Sequence, residues 1–428
     1  MRILQPLRLR DFRLLWLGMA VSMLGDGIYI VAVAFQAYAL HNDPSALALV
    51  GFAWTGGVVL FVLLGGVVAD RQPRRRVLMA ADVIRAVTLL AIGLLSVTGA
   101  LELWMLVVLA FAYGAGEAFF GPAFSALIPE LVPADLLIPA NAIEHAVRPV
   151  AAKAIGPAIG GAIVAWLGPG GGFLLDSATF VFSFACLAAL NVQEVPRPAS
   201  SEGAMHEVRE GFRYVRAHTW LWATLLSAAL CLLVFWGPED VLVPYLIKNE
   251  FGGTAAAFGL VMAAGGLGDL CGSLFMGRRK LPKRPVNVMY WFWGLGTLPL
   301  ALYAAATDTW QLMPLAFAFG FAMSAGLIIW ATLMQTRVPP ELRGRVTSFD
   351  WMVSLALVPV SFALTAPVAG AIGIDTTFIV AGIGATAITL GLFFLVPGLR
   401  ESARGAPAPE RVPEHDQDTG EVAREKVG

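Results

Sequence analysis

Seven carboxylates interrupt otherwise apolar stretches of this 428-residue chain: Asp26, Glu117, Asp176, Glu239, Asp240, Asp269 and Asp350. An acid at membrane depth is costly and faces a bundle interior or water. Burial favours the uncharged carboxyl, so the chemistry suggested is the loading and release of a proton. At 1.5 Å rise per residue, Asp26 lies ~18 Å into the first apolar block and Glu117 ~21 Å into the fourth, both near mid-membrane. Gly25 and Gly27 flank Asp26, and Gly116 and Ala118 flank Glu117. Such small neighbours admit water or another helix. Asp26 is therefore the first candidate for proton coupling and Glu117 the second. Asp269 and Asp350 fall nearer one membrane face. Asp176, Glu239 and Asp240 fall nearer the other, where water would meet them. Arg148 either neutralises one of the mid-membrane acids or snorkels to the surface. Arg85, three residues after Asp82, reads as an ordinary helix-face pair or a second snorkelling side chain.

Other chemistry is excluded by pattern. No GxxxxGK[ST] loop and no HExxH spacing occurs, so ATP hydrolysis and zinc catalysis have no site. Cys186, Cys231 and Cys271 sit in apolar blocks and read as small hydrophobes rather than metal ligands. The expectation is a protein that is not an enzyme, with no cofactor, no metal and no nucleic-acid partner.

The elements that must position these acids are membrane helices. Hydrophobic residues make up 58% of the chain and charged ones 14%, with mean hydropathy +0.73. Apolar blocks fall at 14–40, 47–69, 77–98, 103–127, 136–167, 172–191, 219–247, 255–276, 286–305, 310–333, 347–370 and 374–396. About 20 apolar residues cross a bilayer as helix, and these blocks lack the alternation of a barrel strand. Arg71, Arg74, Arg75 and Arg76, Arg278 to Arg284, Arg343 and Arg345, and the arginines of both ends alternate with connections whose only Lys is Lys248. This positive-inside pattern places both termini in the cytoplasm, in a cytoplasmic (inner) membrane. The reading divides the chain into an N-terminal six-helix bundle (1–191), a cytoplasmic linker (192–218), a C-terminal six-helix bundle (219–396) and a disordered tail (397–428).

Two motifs stand out. GGVVADRQPRRRVL, Gly65 to Leu78, sets paired glycines, Asp70 and four arginines at the cytoplasmic edge. A weaker copy closes the eighth block at Gly272 to Gly277. GPAIGG, Gly156 to Gly161, places a Pro and small residues where helices meet closely. Trp54, Phe119, Phe120, Trp236, Tyr245, Trp330 and Trp351 lie in blocks able to line a cavity.

On these motifs the chain resembles the major facilitator superfamily over residues 10–400. The loop at Asp70 is similar to the family's signature between helices 2 and 3, and GPAIGG to its antiporter signature in helix 5. LRLRDFRLLWLGMAVSMLGDG, PAFSALIPELVPADLLIPAN and LLDSATFVFS are similar to the twelve-helix drug- and siderophore-exporting branch. The resemblance implies an all-α fold of two six-helix bundles. It also implies proton-coupled efflux of a small amphipathic compound by alternating access, with protons, membrane lipids and a small molecule as partners and a monomeric state. It assigns gating and interbundle roles to Gly65, Asp70, Arg71, Arg75, Gly156, Pro157, Gly160, Gly161 and Asp350, with Asp70 touching the start of helix 11 near Asp350 and Arg71 bracing helix 4. Pro73 stands where Gly is common in the family. A lipid or lysolipid transporter on the same fold is the alternative; a passive channel and a membrane scaffold fit the motifs less well.

Overall fold

The structure is a computed structural model describing residues 2–133, 136–137, 139–140, 143, 147, 149–191, 204–397 and 399. Among the described residues, eleven helices are long and apolar enough to cross a membrane. One of them, Pro149–Ala188, has 40 residues, about 60 Å of straight helix and twice the hydrocarbon thickness. It is two helices. Gly168 adopts φ 73 and ψ 172, outside helical space, and only glycine holds such a backbone without strain. The chain doubles back there: a Cβ built on Gly172 would lie 3.3 Å from Val164 Cγ2.

Twelve passes result. We label them α1 (Arg10–Leu40), α2 (Pro44–Arg71), α3 (Arg74–Val97), α4 (Leu103–Leu131), α5 (149–167), α6 (169–188), α7 (Thr219–Tyr245), α8 (Ala255–Gly277), α9 (Pro285–Ala305), α10 (Thr309–Arg337), α11 (340–372) and α12 (Ile374–Leu395). Local chemistry sets several ends. The Asp43 carboxylate accepts from Ser45 N at 2.9 Å and Pro44 opens α2, a capping side chain followed by a residue that needs no donor. Thr254 caps α8 and Asp308 caps α10 in the same way. A shorter helix, Ala204–Ala217, lies between α6 and α7; Phe212 stacks edge-on against Phe349 of α11, and a cleft of 510 Å³ opens beside them.

The first six passes and the last six pack by one scheme, with glycines at corresponding contacts. Gly65 of α2 meets Ala118 of α4, and Gly272 of α8 meets Phe321 of α10. Gly93 of α3 meets Leu174 of α6, and Gly294 of α9 meets Leu390 of α12. Gly27 of α1 meets Gly156 of α5, and Gly237 of α7 meets Ser361 of α11. Two symmetric contacts join the halves: Gly51 of α2 against Phe362 of α11, and Gly161 of α5 against Ala255 of α8. Membrane helices lack a hydrophobic force between them and associate through such close contact of small residues.

Candidate functional site

Asp26 turns from α1 towards the middle of the first half. Its carboxylate accepts a 2.6 Å hydrogen bond from Tyr113 Oη of α4 and lies 3.9 Å from Arg85 Nη1 of α3. The Asp26 side chain is 33% exposed, whereas that of Arg85 is 3% exposed. Arg85 also pairs with Asp82, 3.3 Å away and fully buried. Its guanidinium lies 4.1 Å from the Phe180 ring centroid and 4.7 Å from that of Phe120, placing the cation on aromatic faces. Asp82 and Arg85 thus form a buried partner to Asp26, not a surface pair. Sequence spacing alone gives no sign of this, because the i,i+3 relation is identical in both settings.

Asp176 departs further from expectation. Read from the end of its block it should meet water; it is fully buried. The reason is Gly25, whose missing side chain leaves room for the Asp176 carboxylate and Thr179 against α1. Glu117, the second candidate, accepts from Trp54 Nε1 at 2.8 Å. Glu117 is thus held by Trp54 and Asp26 by Tyr113, both acids lie near Tyr29, and Tyr29 stacks on Tyr113 at 4.5 Å between centroids. Phe119 and Phe120 are part-buried beside it. Arg148 lies outside the described residues, so its two readings stand open.

In the second half, Trp236 donates to Asp240 at 2.8 Å, and Trp330 donates to Asp350 at 2.9 Å. Trp330 is buried against Trp220 and Trp293. Trp351 is 60% exposed. Tyr245 stacks edge-on against Tyr38 across the two halves. A cation absent from the expected set, Lys153, sits in the π-wound first turns of α5 and reaches Asp269 of α8 at 2.7 Å. Its signal in the sequence is position: one basic residue three places before GPAIGG.

GPAIGG itself is a two-sided contact. A Cβ on Gly160 would lie 2.7 Å from Ile28 Cα of α1, and one on Gly161 would lie 2.7 Å from Ala255 O of α8. Pro157 packs on Gly27 and its carbonyl meets Gly259 of α8. At the end of the bundle carrying the 41–43 and 251–254 connections, Tyr38 Oη donates to Val241 O at 2.5 Å, and Asn42 donates to Asn249 at 2.7 Å. Lys248 bonds Tyr38 O at 2.8 Å and Asn42 Oδ1 at 3.0 Å. These contacts tie α1 to the end of α7.

At the opposite end, the side chains of Asp70 and Arg71 lie outside the described residues, and their gating roles with them. Their neighbours are described. Arg74 bonds Glu130 at 2.8 Å and the carbonyl of Ala126, so this arginine braces α4. Arg75 donates to Leu187 O at 2.8 Å and Ala188 O at 2.6 Å, covering the last carbonyls of α6, where a cation is favoured.

Twelve long apolar helices in two repeated halves, with Asp26, Asp82 and Arg85 drawn together inside the first, fit a multi-pass integral membrane transporter. The family described as transmembrane secretion effector matches residues 2–423, and the chain belongs to it, within the major facilitator superfamily of secondary-active transporters of small molecules. Among curated proteins it is similar to the multidrug efflux pump Tap of Mycolicibacterium fortuitum, 28% identical over 91% of this chain and 96% of the relative. It is also similar to macrolide efflux protein A of Streptococcus pyogenes, 23% identical over 87% and 92%. Among solved structures, a bacterial homologue of the human lysosomal transporter Spinster, inward-facing and unoccupied, matches 93% of this chain and 99% of its own with TM-score 0.69 at 15% identity. That likeness is one of fold.

Proposed function

We propose that this protein is a proton-coupled exporter of small amphipathic compounds, working by alternating access in the cytoplasmic membrane with both termini inside. Residues 1–191 and 219–396 act as the two bundles, and 192–218 links them. The observation that carries the reading is Asp26: a carboxylate one-third exposed, held by Tyr113 and approached by a buried guanidinium. A group so placed takes a proton from whichever side the cavity faces, and its charge changes the pull on Arg85. The outward direction and amphipathic cargo are supported by the similarity to the macrolide efflux protein and to Tap. In this orientation the Tyr38, Asn42 and Lys248 contacts close the outer face.

The test is transport in proteoliposomes with a panel of amphiphiles that includes a macrolide and a lysolipid. Asp26→Asn should lose accumulation driven by a pH gradient and keep energy-independent counterflow; Glu117→Gln should show the same pattern to a lesser degree. Gradient-driven transport with an unaltered pH profile in both variants would move the coupling site elsewhere. Movement of the lysolipid alone would replace the exporter reading with the lipid one.

A further inference from the structure

Three carboxylates and one guanidinium meet where α1, α3 and α6 pack. Asp82 and Asp176 are fully buried and Arg85 nearly so; Asp26 alone of the four is partly exposed, at 33% of its side chain. The guanidinium stays charged in any protein setting. It touches Asp82 and approaches Asp26, and it forms neither of its ion pairs with Asp176. With every acid ionised the cluster would carry two surplus negative charges among Phe173, Phe180 and Leu89. An isolated buried ion costs several kcal/mol even after relaxation (about that order), and a carboxyl escapes the cost by keeping its proton. Asp176 is the acid left without a cation. Its Oδ1 accepts only a local bond, from Thr179 at 3.0 Å, and its Oδ2 is buried with no hydrogen-bond partner among the described residues. Asp82 Oδ2 is unbonded as well, but Asp82 has the guanidinium at 3.3 Å; Asp176 forms no ion pair among the described residues, and that favours its neutral form.

We propose that Asp176 is a second proton-carrying residue of the transport cycle, exchanging its proton with Asp26 while Arg85 turns between them. The inference rests on the proton-coupled reading above. In the resting arrangement Asp176 is neutral and Asp26 ionised. Transfer breaks one O–H bond on Asp176 and forms one on Asp26, so Asp176 becomes the anion and Arg85 follows the charge; the cluster's net charge is unchanged. Gly25 makes the approach possible, since any side chain there would collide with the Asp176 carboxylate. The other groups facing the pair are Tyr29 on α1, Tyr113 and Glu117 on α4, and Asp82 on α3. Of the two tyrosines, Tyr113 donates a hydrogen bond to Asp26. Arg85 and Gly25 are positioning residues, and Asp176 carries the proton.

The experiment uses the full-length protein in proteoliposomes, and its spectroscopic arm needs no cargo. Infrared spectroscopy in H2O and D2O should show a protonated-carboxyl band in the wild type near neutral pH that is absent from Asp176→Asn. Asp26→Asn removes one negative neighbour and frees the guanidinium, so the band should fade at about tenfold higher proton concentration than in the wild type. Gly25→Ala should shift the band without removing a titratable group. A band unchanged in Asp176→Asn, or one indifferent to pH and to Asp26→Asn, would overturn the proposal. Macrolide counterflow and gradient-driven accumulation separate the two readings. Asp176→Asn that loses the band but accumulates normally leaves proton coupling intact and reduces Asp176 to a fixed structural proton. A wild type that ignores a pH gradient removes the coupled reading itself, and the carrier role with it.

Discussion

The two halves share a packing scheme and differ in what they bury. In the first, glycine contacts enclose Asp82, Arg85 and Asp176. In the second, the same contacts enclose hydroxyls and a thiol: Thr224 with Tyr290 at 3.2 Å, Thr297 with Thr386 at 2.9 Å and Cys231 with Thr389 at 2.8 Å. The acids of the second half are also withdrawn, Asp269 buried and Glu239, Asp240 and Asp350 half-buried, but the cation that Asp269 meets, Lys153, has a side chain 58% exposed. Neutral hydrogen bonds hold one arrangement without demanding a counter-ion, whereas a buried ion set responds to every proton gained or lost. The packing scheme is common to both halves, whereas an arginine buried among acids is described in the first.

The comparison is broken most directly by deleting its ions. Arg85→Ala leaves Asp82 buried without its cation and should cost about 3–5 kcal/mol of stability, read as thermal unfolding of the purified protein. Thr297→Val in the second half should cost about 1 kcal/mol. Equal losses would mean that the halves are energetically alike. Next come the contacts between halves. Gly161→Val should cost about 1–3 kcal/mol by overpacking and widen the distance between spin labels on the ends of α5 and α8 that adjoin residues 168 and 255. Unchanged distances with normal transport would leave GPAIGG as packing alone. The Lys153–Asp269 pair should matter less for stability, because the lysine side chain is 58% exposed: Lys153→Met should cost at most about 1 kcal/mol. A loss as large as that of Arg85→Ala would place a strongly coupled charge in the second half too.

The smallest expected effect is at a connection. Hydrogen bonds from Ser45 hold the Asp43 carboxyl below its ordinary value. A lowered value means the cap's stabilisation is present above the unfolded value and is lost as pH falls through the folded one. Asp43→Ala should cost about 0.5–1 kcal/mol at neutral pH, and the difference from wild type should vanish in acid, below about pH 4. A constant difference across that window would show that the carboxylate is not the source.

The helices were legible because a bilayer demands long apolar blocks, and eleven helices match them with α5 and α6 read together. Asp26 and Glu117 were picked out by their depth within their blocks, and both carboxylates are bonded to aromatic residues of neighbouring helices. Asp176 was not, because its burial depends on Gly25, 151 positions earlier in the chain, and no local pattern records that approach. Asp82 and Arg85 were misjudged because three-residue spacing is the same on a wet face and in a core. The start of the block at 136 lies in a stretch only partly described, and α5 is followed here from residue 149.

The reversal at Gly168 has a mechanical consequence. With a single non-helical residue between them, α5 and α6 have no slack in which to part. α5 carries the GPAIGG surface against α8, and α6 carries Asp176 against Gly25. In the proposed cycle the pair would act as a lever bent at its tip: tilting one arm against the opposite half would drag the other's carboxyl across α1. Lengthening that bend with a few flexible residues would disconnect stroke from charge.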